Sequence, residues 1–439
     1  MKASVVVREY AWLTTDPVDS PSLDQKSITR SAFGWLCQLN AAIASSGATL
    51  IQDLDGHWLK LDNYVGVVEC PCGTRIEILP KHYETEDSVA ESRSLLRKML
   101  RVALDLPSRE VGSAHLELFN APLSEWIIHQ FLFALDHLIK TGIQFDYHRI
   151  EEEQRFLRGQ LNTVRQIRLS PARQHRFEIR HDIFEADRPE NRLLKSALDR
   201  VIKSTRVNAN WQLAFELKTL LVDLPSSRDV KKDFENWKHD RLTAHYRRAK
   251  PWCELILNRQ TPIALVGEWE GMSLLFPMEK LFERYVASCL RKSLADDAQL
   301  KMHPLWSFLC THDGGKIFRL EPDFLIERAA QRWILDAKWK RLDGGNKVDK
   351  YGLQQSDFYQ LFAYGQAYLR EQKQKHLVLI YPKSAKFSQS LPVFNFSDEA
   401  KLWVIPFDLE TGQLEHLAGI GLPLTGVSDQ AHSAQGKVA

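Results

Sequence analysis

Two aspartates and a lysine stand where two short apolar runs meet, in the segment from Phe318 to Trp339 of this 439-residue chain. The runs are β-prone and flank a polar connection centred on Ala329 and Ala330. A hairpin symmetric about that point sets Asp323 directly opposite Asp336, on one sheet face, with Cβ atoms roughly 5 Å apart. Lys338, two residues beyond Asp336, points the same way. Two facing carboxylates repel, and a sheet gathers them only with a compensating cation. Hard oxygen donors completed by waters and a phosphate oxygen suit Mg²⁺, with Mn²⁺ as a substitute. Such an ion polarises a scissile phosphate and lowers the pKa of a bound water. The lysine then either orients that water or neutralises the extra charge of a pentacovalent transition state. This is the chemistry of phosphodiester hydrolysis.

The plain alternative is an ordinary hairpin in which Lys338 pairs with one aspartate at a solvated edge. Two details favour a site. Pro322 stiffens the strand entry, and the run Ile334-Leu335-Asp336-Ala337-Lys338 sets charges directly after a buried-strand pattern. Unpaired charge at such a position is costly unless it serves a ligand.

The elements that must hold these residues form an α/β set. A helix is expected over Ser273–Leu294, and strands around Arg319–Glu327, Arg332–Trp339 and His376–Tyr381. A helix over Gln354–Arg370 precedes the third strand, and Trp403–Phe407 adds another. That second helix carries Gln360 and Tyr364 on one face, where they line a DNA cleft or form a plain surface hydrogen bond. Glu283, on the first helix, either adds a metal ligand, steers a metal-bound water, or pairs with a nearby Arg or Lys.

Farther upstream, residues 1–110 read as mixed α/β. A loop is expected over Thr14–Lys26, a helix over Ser31–Ala44, and strands at Trp58–Leu61, Tyr64–Glu69 and Arg75–Leu79, the last two joined by a Cys70-to-Thr74 turn. Pro122–Lys140, Asn191–Lys203 and Ala209–Val222 have helical spacing. Residues 225–250, rich in charge, suit exposed helix and linker equally. The main boundary is expected near residue 265. The chain then divides into a mixed region at 1–115, a mostly helical middle at 116–265, a nuclease domain at 266–424 and a disordered tail at 425–439.

Composition sets limits on class. Hydrophobic residues make up 44% and charged residues 26%, an ordinary globular balance able to fill two or three cores. Lys+Arg number 58 against 56 for Asp+Glu, a net charge of +2 that leaves nucleic-acid binding to local patches. One basic series, Arg155, Arg158, Arg165, Arg168, Arg173, Arg176 and Arg180, could meet phosphates, an acidic partner, or simply the balancing Glu151–Glu153. Among six cysteines only Cys70 and Cys72 are close, and no ligand set for zinc surrounds them. Reduced thiols in a cytoplasmic protein are expected. No signal peptide or membrane span is expected, since Trp126–Ile139 is interrupted by His129, Gln130, Asp136 and His137.

Pro322-Asp323 followed by Asp336-Ala337-Lys338 resembles the PD-(D/E)xK nuclease motif. Gln360 and Tyr364 resemble the QxxxY element of the branch that contains RecB-type nucleases. The run Met278–Val286 resembles the helix before the nuclease motif in the McrC family, the nuclease subunit of McrBC-type modification-dependent restriction systems. Thr141–Tyr147, Leu157–Leu161, Glu185–Lys195 and Leu377–Pro382 resemble further segments of that family, in order. Tyr64–Val68 and Ile76–Lys81 resemble an N-terminal signature of its longer members.

The resemblance implies an N-terminal α+β adaptor region followed by a restriction-endonuclease-like α/β domain. It implies Asp323, Asp336 and Lys338 as catalytic residues, and Asp323, Asp336 and Glu283 as ligands of Mg²⁺. Gln360 and Tyr364 then support the site or the DNA strand. It also implies a partner, a hexameric McrB-like AAA+ GTPase that recognises modified DNA, such as 5-methylcytosine, and translocates it. The nuclease subunit stimulates that GTPase and cuts double-stranded DNA, and its N-terminal half engages the ring's pore. No Gly-x-x-x-x-Gly-Lys-Ser/Thr loop occurs, so this chain is expected to bind no nucleotide. The rivals are a free-standing RecB-like repair nuclease and a non-catalytic scaffold that regulates an NTPase.

Overall fold

A computed structural model of the chain describes residues 4–44, 49–82, 89–107, 121–173, 175–238, 240–257, 273–415 and 419–425. The boundary expected near residue 265, and all of the expected tail except Thr425, lie outside the described residues. The chain forms two compact units, Met1–Asn120 with Leu275–Ala439, and Ala121–Leu274.

The first unit begins with strands β1 (Ser4–Arg8), β2 (Trp12–Thr14), β3 (Gln25–Ser27), β4 (Ile51–Leu54), β5 (Trp58–Leu61), β6 (Tyr64–Glu69) and β7 (Arg75–Leu79). A four-stranded sheet runs β3-β2-β5-β4. Helix α1 (Arg30–Ala44) buries Ala32, Leu36, Leu39 and Ile43, a stripe spaced by three or four residues that faces the core. Helix α2 (Val89–Ala103) buries Leu95, Leu96, Met99 and Leu100 in the same manner. β3 takes up the last residues of the segment expected to be loop, because Trp12 to Thr14 offer a parallel partner.

The second unit holds α3 (Leu123–Thr141), strands β8 (Asp146–Gln154), β9 (Gln160–Leu161) and β10 (Phe177–Glu185), and helices α4 (Thr163–Ile167), α5 (Pro189–Ser204), α6 (Asn208–Leu220), α7 (Val230–Glu235) and α8 (Lys250–Ile256). β8 and β10 pair antiparallel, Arg180 facing Glu151. Arg180 donates to Glu151 at 2.8 Å, and Arg165 pairs with the same carboxylate at 3.2 Å. Arg176 and Arg173 pair with Glu153 at 3.0 and 3.8 Å. Four members of the basic series are therefore matched by acids of the neighbouring strand. Gly159 has φ +71°, and a Cβ there would lie 2.6 Å from the Arg180 carbonyl oxygen. Only glycine lets the chain turn so close to β10.

The first unit continues with β11 (Leu274–Pro277), α9 (Met278–Ser293), β12 (Ala298–Met302), β13 (Ser307–His312), β14 (Gly315–Leu320), β15 (Phe324–Arg328), β16 (Gln331–Ala337), α10 (Gln355–Tyr368), β17 (Lys375–Pro382), β18 (Phe394–Asn395), β19 (Ala400–Asp408) and β20 (Gln413–Leu414). β11 joins the sheet β1-β7-β6-β11. The helix expected over Ser273–Leu294 therefore starts late. Its first residues extend as a strand, and Pro277, which donates no N–H, marks the switch to helix at Met278.

The main sheet has the order β12-β15-β16-β17-β19-β18, with β20 on β19. β15 and β16 form the antiparallel hairpin, whereas β16, β17 and β19 run parallel. A parallel pair needs a crossover, and α10 supplies it between β16 and β17. Phe324, Leu325, Ile326, Ile334, Leu335, Leu377, Leu379 and Val404 are all 0% exposed, as expected of strands covered on both faces. Leu325, Ile334, Leu377 and Leu379 share one cluster with Leu361, Tyr364 and Tyr368 of α10.

The strand expected over Arg319–Glu327 is two strands. β14 pairs with β13, whereas β15 pairs with β12 and β16. Glu321 and Pro322 lie at the break, where proline cannot donate to either ladder. Among the described residues, no helix is long and apolar enough to cross a membrane.

Ile334 lies at the centre of this sheet. Ile334→Ala should lower stability by ~2–5 kcal/mol through lost burial and the cavity left behind, read as an earlier midpoint in denaturant unfolding of the full chain.

Candidate active site

The hairpin register sets this site. Phe324 faces Leu335, and Arg328 faces Gln331. Carried one position outward, the same register sets Asp323 across from Asp336. Asp336 lies two residues after Ile334 and so shares its sheet face, the face that α10 covers. The Asp323 carboxylate accepts from the Ala337 backbone N–H at 2.7 Å, which locks it against the opposing strand.

Lys338 lies just past the end of β16, yet its N–H still donates to the Ile380 carbonyl at 2.9 Å. Its Nζ pairs with Asp336 Oδ2 at 2.8 Å and reaches Gln360 Oε1 at 3.4 Å. The Gln360 amide donates to the Tyr364 hydroxyl at 2.6 Å, and that hydroxyl donates to the Glu321 carbonyl at 3.0 Å. A polar chain thus runs from Asp336 through Lys338, Gln360 and Tyr364 back to the residue two before Asp323. Glu283 enters from α9, with its Oε1 2.8 Å from His303 Nε2.

Burial dominates the electrostatics. Asp323 is pushed up to about 8, first by desolvation and then by the charge of Asp336, with the Ala337 N–H opposing. Asp336, 0% exposed, is also raised by desolvation, against the pull of Lys338. Glu283 is raised by burial, eased by His303. Burial acts to lower the Lys338 ammonium, but the Asp336 carboxylate outweighs it and holds it above its ordinary range. The site gathers more acid than base.

The residues present fit a divalent ion. Donor atoms of Glu283, His303 and Asp323 lie within 4.8 Å of one another. Asp336 Oδ1 is sealed from water and has no hydrogen-bond partner, an orphaned acceptor that is costly to leave unmatched. Of the ligands expected from the sequence, Asp323 and Glu283 belong to the close triplet, whereas Asp336 turns one oxygen to Lys338.

Four neighbours were not anticipated. His303 and Glu321 flank Asp323 in space, with His303 Nδ1 3.6 Å from Glu321 Oε1. Buried Asp357 accepts from the Tyr381 hydroxyl at 3.2 Å. Glu9, from β1's end, accepts from the Trp339 indole at 2.8 Å and is pushed up to about 7 by burial. Glu9, Tyr10, His82, Lys338, Trp339 and Arg341 border a cavity of about 470 Å³. The β-run Ala298–Met302 was the one available signal for His303, because its pairing with β15 aligns the next residue with Asp323.

A family model described as McrBC 5-methylcytosine restriction system component matches residues 59–382. The Type IV methyl-directed restriction enzyme EcoKMcrBC of Escherichia coli (strain K12) is 21% identical over 239 residues, which is 52% of this chain and 67% of that protein. Among solved structures, the fold is similar to a refined half-complex from a tetradecameric assembly of Thermococcus gammatolerans McrB AAA+ hexamers with bound McrC. That match has a TM-score of 0.67 at 18% identity and covers 92% of this chain and 95% of that one. The cryo-EM structure of the Thermococcus gammatolerans McrBC complex matches with a TM-score of 0.52 at 19% identity, over 67% of this chain and 89% of that one.

A pH dependence follows from Asp323. Its pKa in the fold lies above that of an unfolded aspartate, so its contribution to stability is present at low pH and lost as pH rises through about 8. In chelator, the thermal midpoint of the chain should fall as pH rises from about 4 to about 8 and level off above that, and Asp323→Asn should flatten that fall.

Proposed function

The chain belongs to the family of McrBC 5-methylcytosine restriction system components, and from that premise we propose that it is the DNA-cutting subunit of such a system. One observation carries this reading: a half-buried acid just before β15 and a fully buried one on β16, the latter with an orphaned oxygen, share a face with a paired lysine. That arrangement is costly in an ordinary sheet and well suited to a divalent ion and a phosphodiester.

Asp323, Asp336 and Glu283 would hold Mg²⁺ or Mn²⁺. The bound ion supplies an activated water and polarises the phosphate. Lys338 keeps its proton, because Asp336 holds its pKa up. It therefore acts as a fixed cation and donor at the phosphate oxygens, rather than as the base. Gln360 accepts from Lys338 and donates to Tyr364, so the ammonium has one direction in which to point. Water attacks phosphorus and gives up a proton to bulk solvent, the bond to the leaving oxygen breaks and that oxygen takes a proton from solvent, and the charge on the non-bridging oxygens meets Lys338.

The similar solved assemblies are McrB AAA+ hexamers with McrC bound. We extend that pairing to this chain: its partner is a McrB-like AAA+ GTPase ring, and its substrate is double-stranded DNA carrying a modified base such as 5-methylcytosine. The ring supplies recognition and translocation, and this chain supplies cleavage and stimulates GTP hydrolysis. Its sequence has no phosphate-binding loop of its own, in keeping with that division.

Reconstitution with the partner GTPase, GTP, Mg²⁺ and methylated DNA tests this. Asp336→Ala and Lys338→Ala should each slow cleavage by at least about a hundredfold while the partner's GTP hydrolysis is retained. Cleavage at the unaltered rate by Asp336→Ala would leave the chain a scaffold.

A further inference from the structure

Three strands stand abreast at the metal site. β12 pairs Met302 with Phe324, so the next position sets His303 across from Asp323, as β16 sets Asp336 across from it on the other side. The His303 N–H donates to the Asp323 carbonyl at 3.1 Å, which fixes that alignment. His303 holds a left-handed backbone at φ 45°, a region that side chains with a Cβ rarely occupy.

The ring is held between two carboxylates. Nε2 lies 2.8 Å from Glu283 Oε1, and Nδ1 lies 3.6 Å from Glu321 Oε1. Neighbouring ligands on an ion with bonds of about 2.1 Å sit about 3 Å apart, so the Nε2–Oε1 separation matches one edge of a coordination shell. Glu321 stands behind the other ring nitrogen. In metal-bound histidines the second nitrogen is commonly turned to a carboxylate that fixes tautomer and orientation, and Glu321 lies within ion-pair reach to take that part. The orphaned oxygen of buried Asp336, on the other side of Asp323, is a further acceptor that a cation would satisfy.

We propose that His303 is itself a ligand of the divalent ion through Nε2, oriented by Glu321, and that its imidazole tilts the site toward Mn²⁺ over Mg²⁺. Imidazole suits first-row transition metals, whereas Mg²⁺ favours oxygen donors. The inference rests on the metal-centre reading above and adds to it a nitrogen ligand and an order of preference. His303 would otherwise be only a polar partner of Glu283.

Pulsed EPR on the Mn²⁺-loaded full chain reads this without any assay of cleavage. The unaltered chain should show ¹⁴N modulation from a bound imidazole. In His303→Ala that signal should vanish. Mn²⁺ affinity should fall about tenfold or more, in line with losses seen when metal-site partners are removed, and Mg²⁺ affinity should fall less. Glu321→Gln should keep the signal with weaker Mn²⁺ binding; unchanged affinity would remove Glu321 from the proposal. An unaltered chain with saturable Mn²⁺ binding but no ¹⁴N modulation overturns the histidine assignment, as does a His303→Ala variant with an unchanged Mn²⁺ to Mg²⁺ ratio. Asp323→Ala separates the two levels. If it binds Mn²⁺ as tightly as the unaltered chain, the metal-centre reading fails and this inference with it. If it loses binding while the nitrogen signal is absent from the unaltered chain, only the histidine assignment fails.

Discussion

A buried carboxylate beside a half-buried one, with one lysine against them, sets the terms for the rest of this unit. Each acid pays a desolvation penalty, and their mutual repulsion adds to it. The penalty is offset by the apolar sheet around them. Phe324, Leu325 and Ile326 on one strand, and Trp333, Ile334 and Leu335 on the next, are at most 2% exposed. Burial of such side chains contributes ~1.5–3 kcal/mol each. A one-residue slip in the hairpin would exchange the two apolar faces of the strands and the packing partners of every side chain, and it would turn Asp336 away from α10 with them. The register that fills the core is therefore also the register that assembles the acids.

This explains how much of the site could be read in advance. The hairpin centred on Ala329 and Ala330 is local, and its symmetry alone aligns Asp323 with Asp336. Strands Trp58–Leu61, Tyr64–Glu69 and Arg75–Leu79 are bounded by turn residues and occur at the expected residues. Lys338, Gln360 and Tyr364 were legible as types at a spacing, but the hydrogen bonds that join them depend on α10 crossing over the sheet. His303 and Glu9 belong to distant segments, Glu321 to the break before β15, and Asp357 to the same helix as Gln360 and Tyr364. Only the pairing of β12 with β15 brings in His303, and only the hydrogen bond from the Trp339 indole brings in Glu9. No local period encodes such pairings. The long strand expected over Arg319–Glu327 failed for a related reason: a single apolar run conceals that its two ends pair with different partners.

The second unit shows the opposite case. β8 reads His148-Arg149-Ile150-Glu151-Glu152-Glu153, a run too charged to announce a strand by alternation. It forms one because β10 lays Arg180 and apolar residues across it, and because Gly159 lets the chain approach so closely. The ion pairs that Glu151 and Glu153 of β8 make there lie at 39–65% side-chain exposure on the arginine side. Each such pair contributes little by itself, so the pairing is a matter of charge balance over the whole face rather than of any one bridge.

Rigidity around Lys338 completes the picture. Its backbone is tied to β17, and the next residue, Trp339, is gripped from two sides. Glu9 accepts from its indole N–H, and Phe282 packs on its ring at a centroid distance of 5.3 Å. Glu9 also accepts from the Lys81 N–H at 2.8 Å, so the N-terminal sheet is hydrogen-bonded to the strand end that carries the lysine. The ammonium is thus fixed from the backbone as well as through Asp336 and Gln360. What the fold leaves unsatisfied is charge, not position. An ion that binds this preformed set and not the unfolded chain returns, by mass action, part of the stability that the buried acids cost. Metal affinity and fold stability are therefore two measures of the same electrostatic deficit, and weakening the acids to relieve the fold would weaken the ion's hold in the same step.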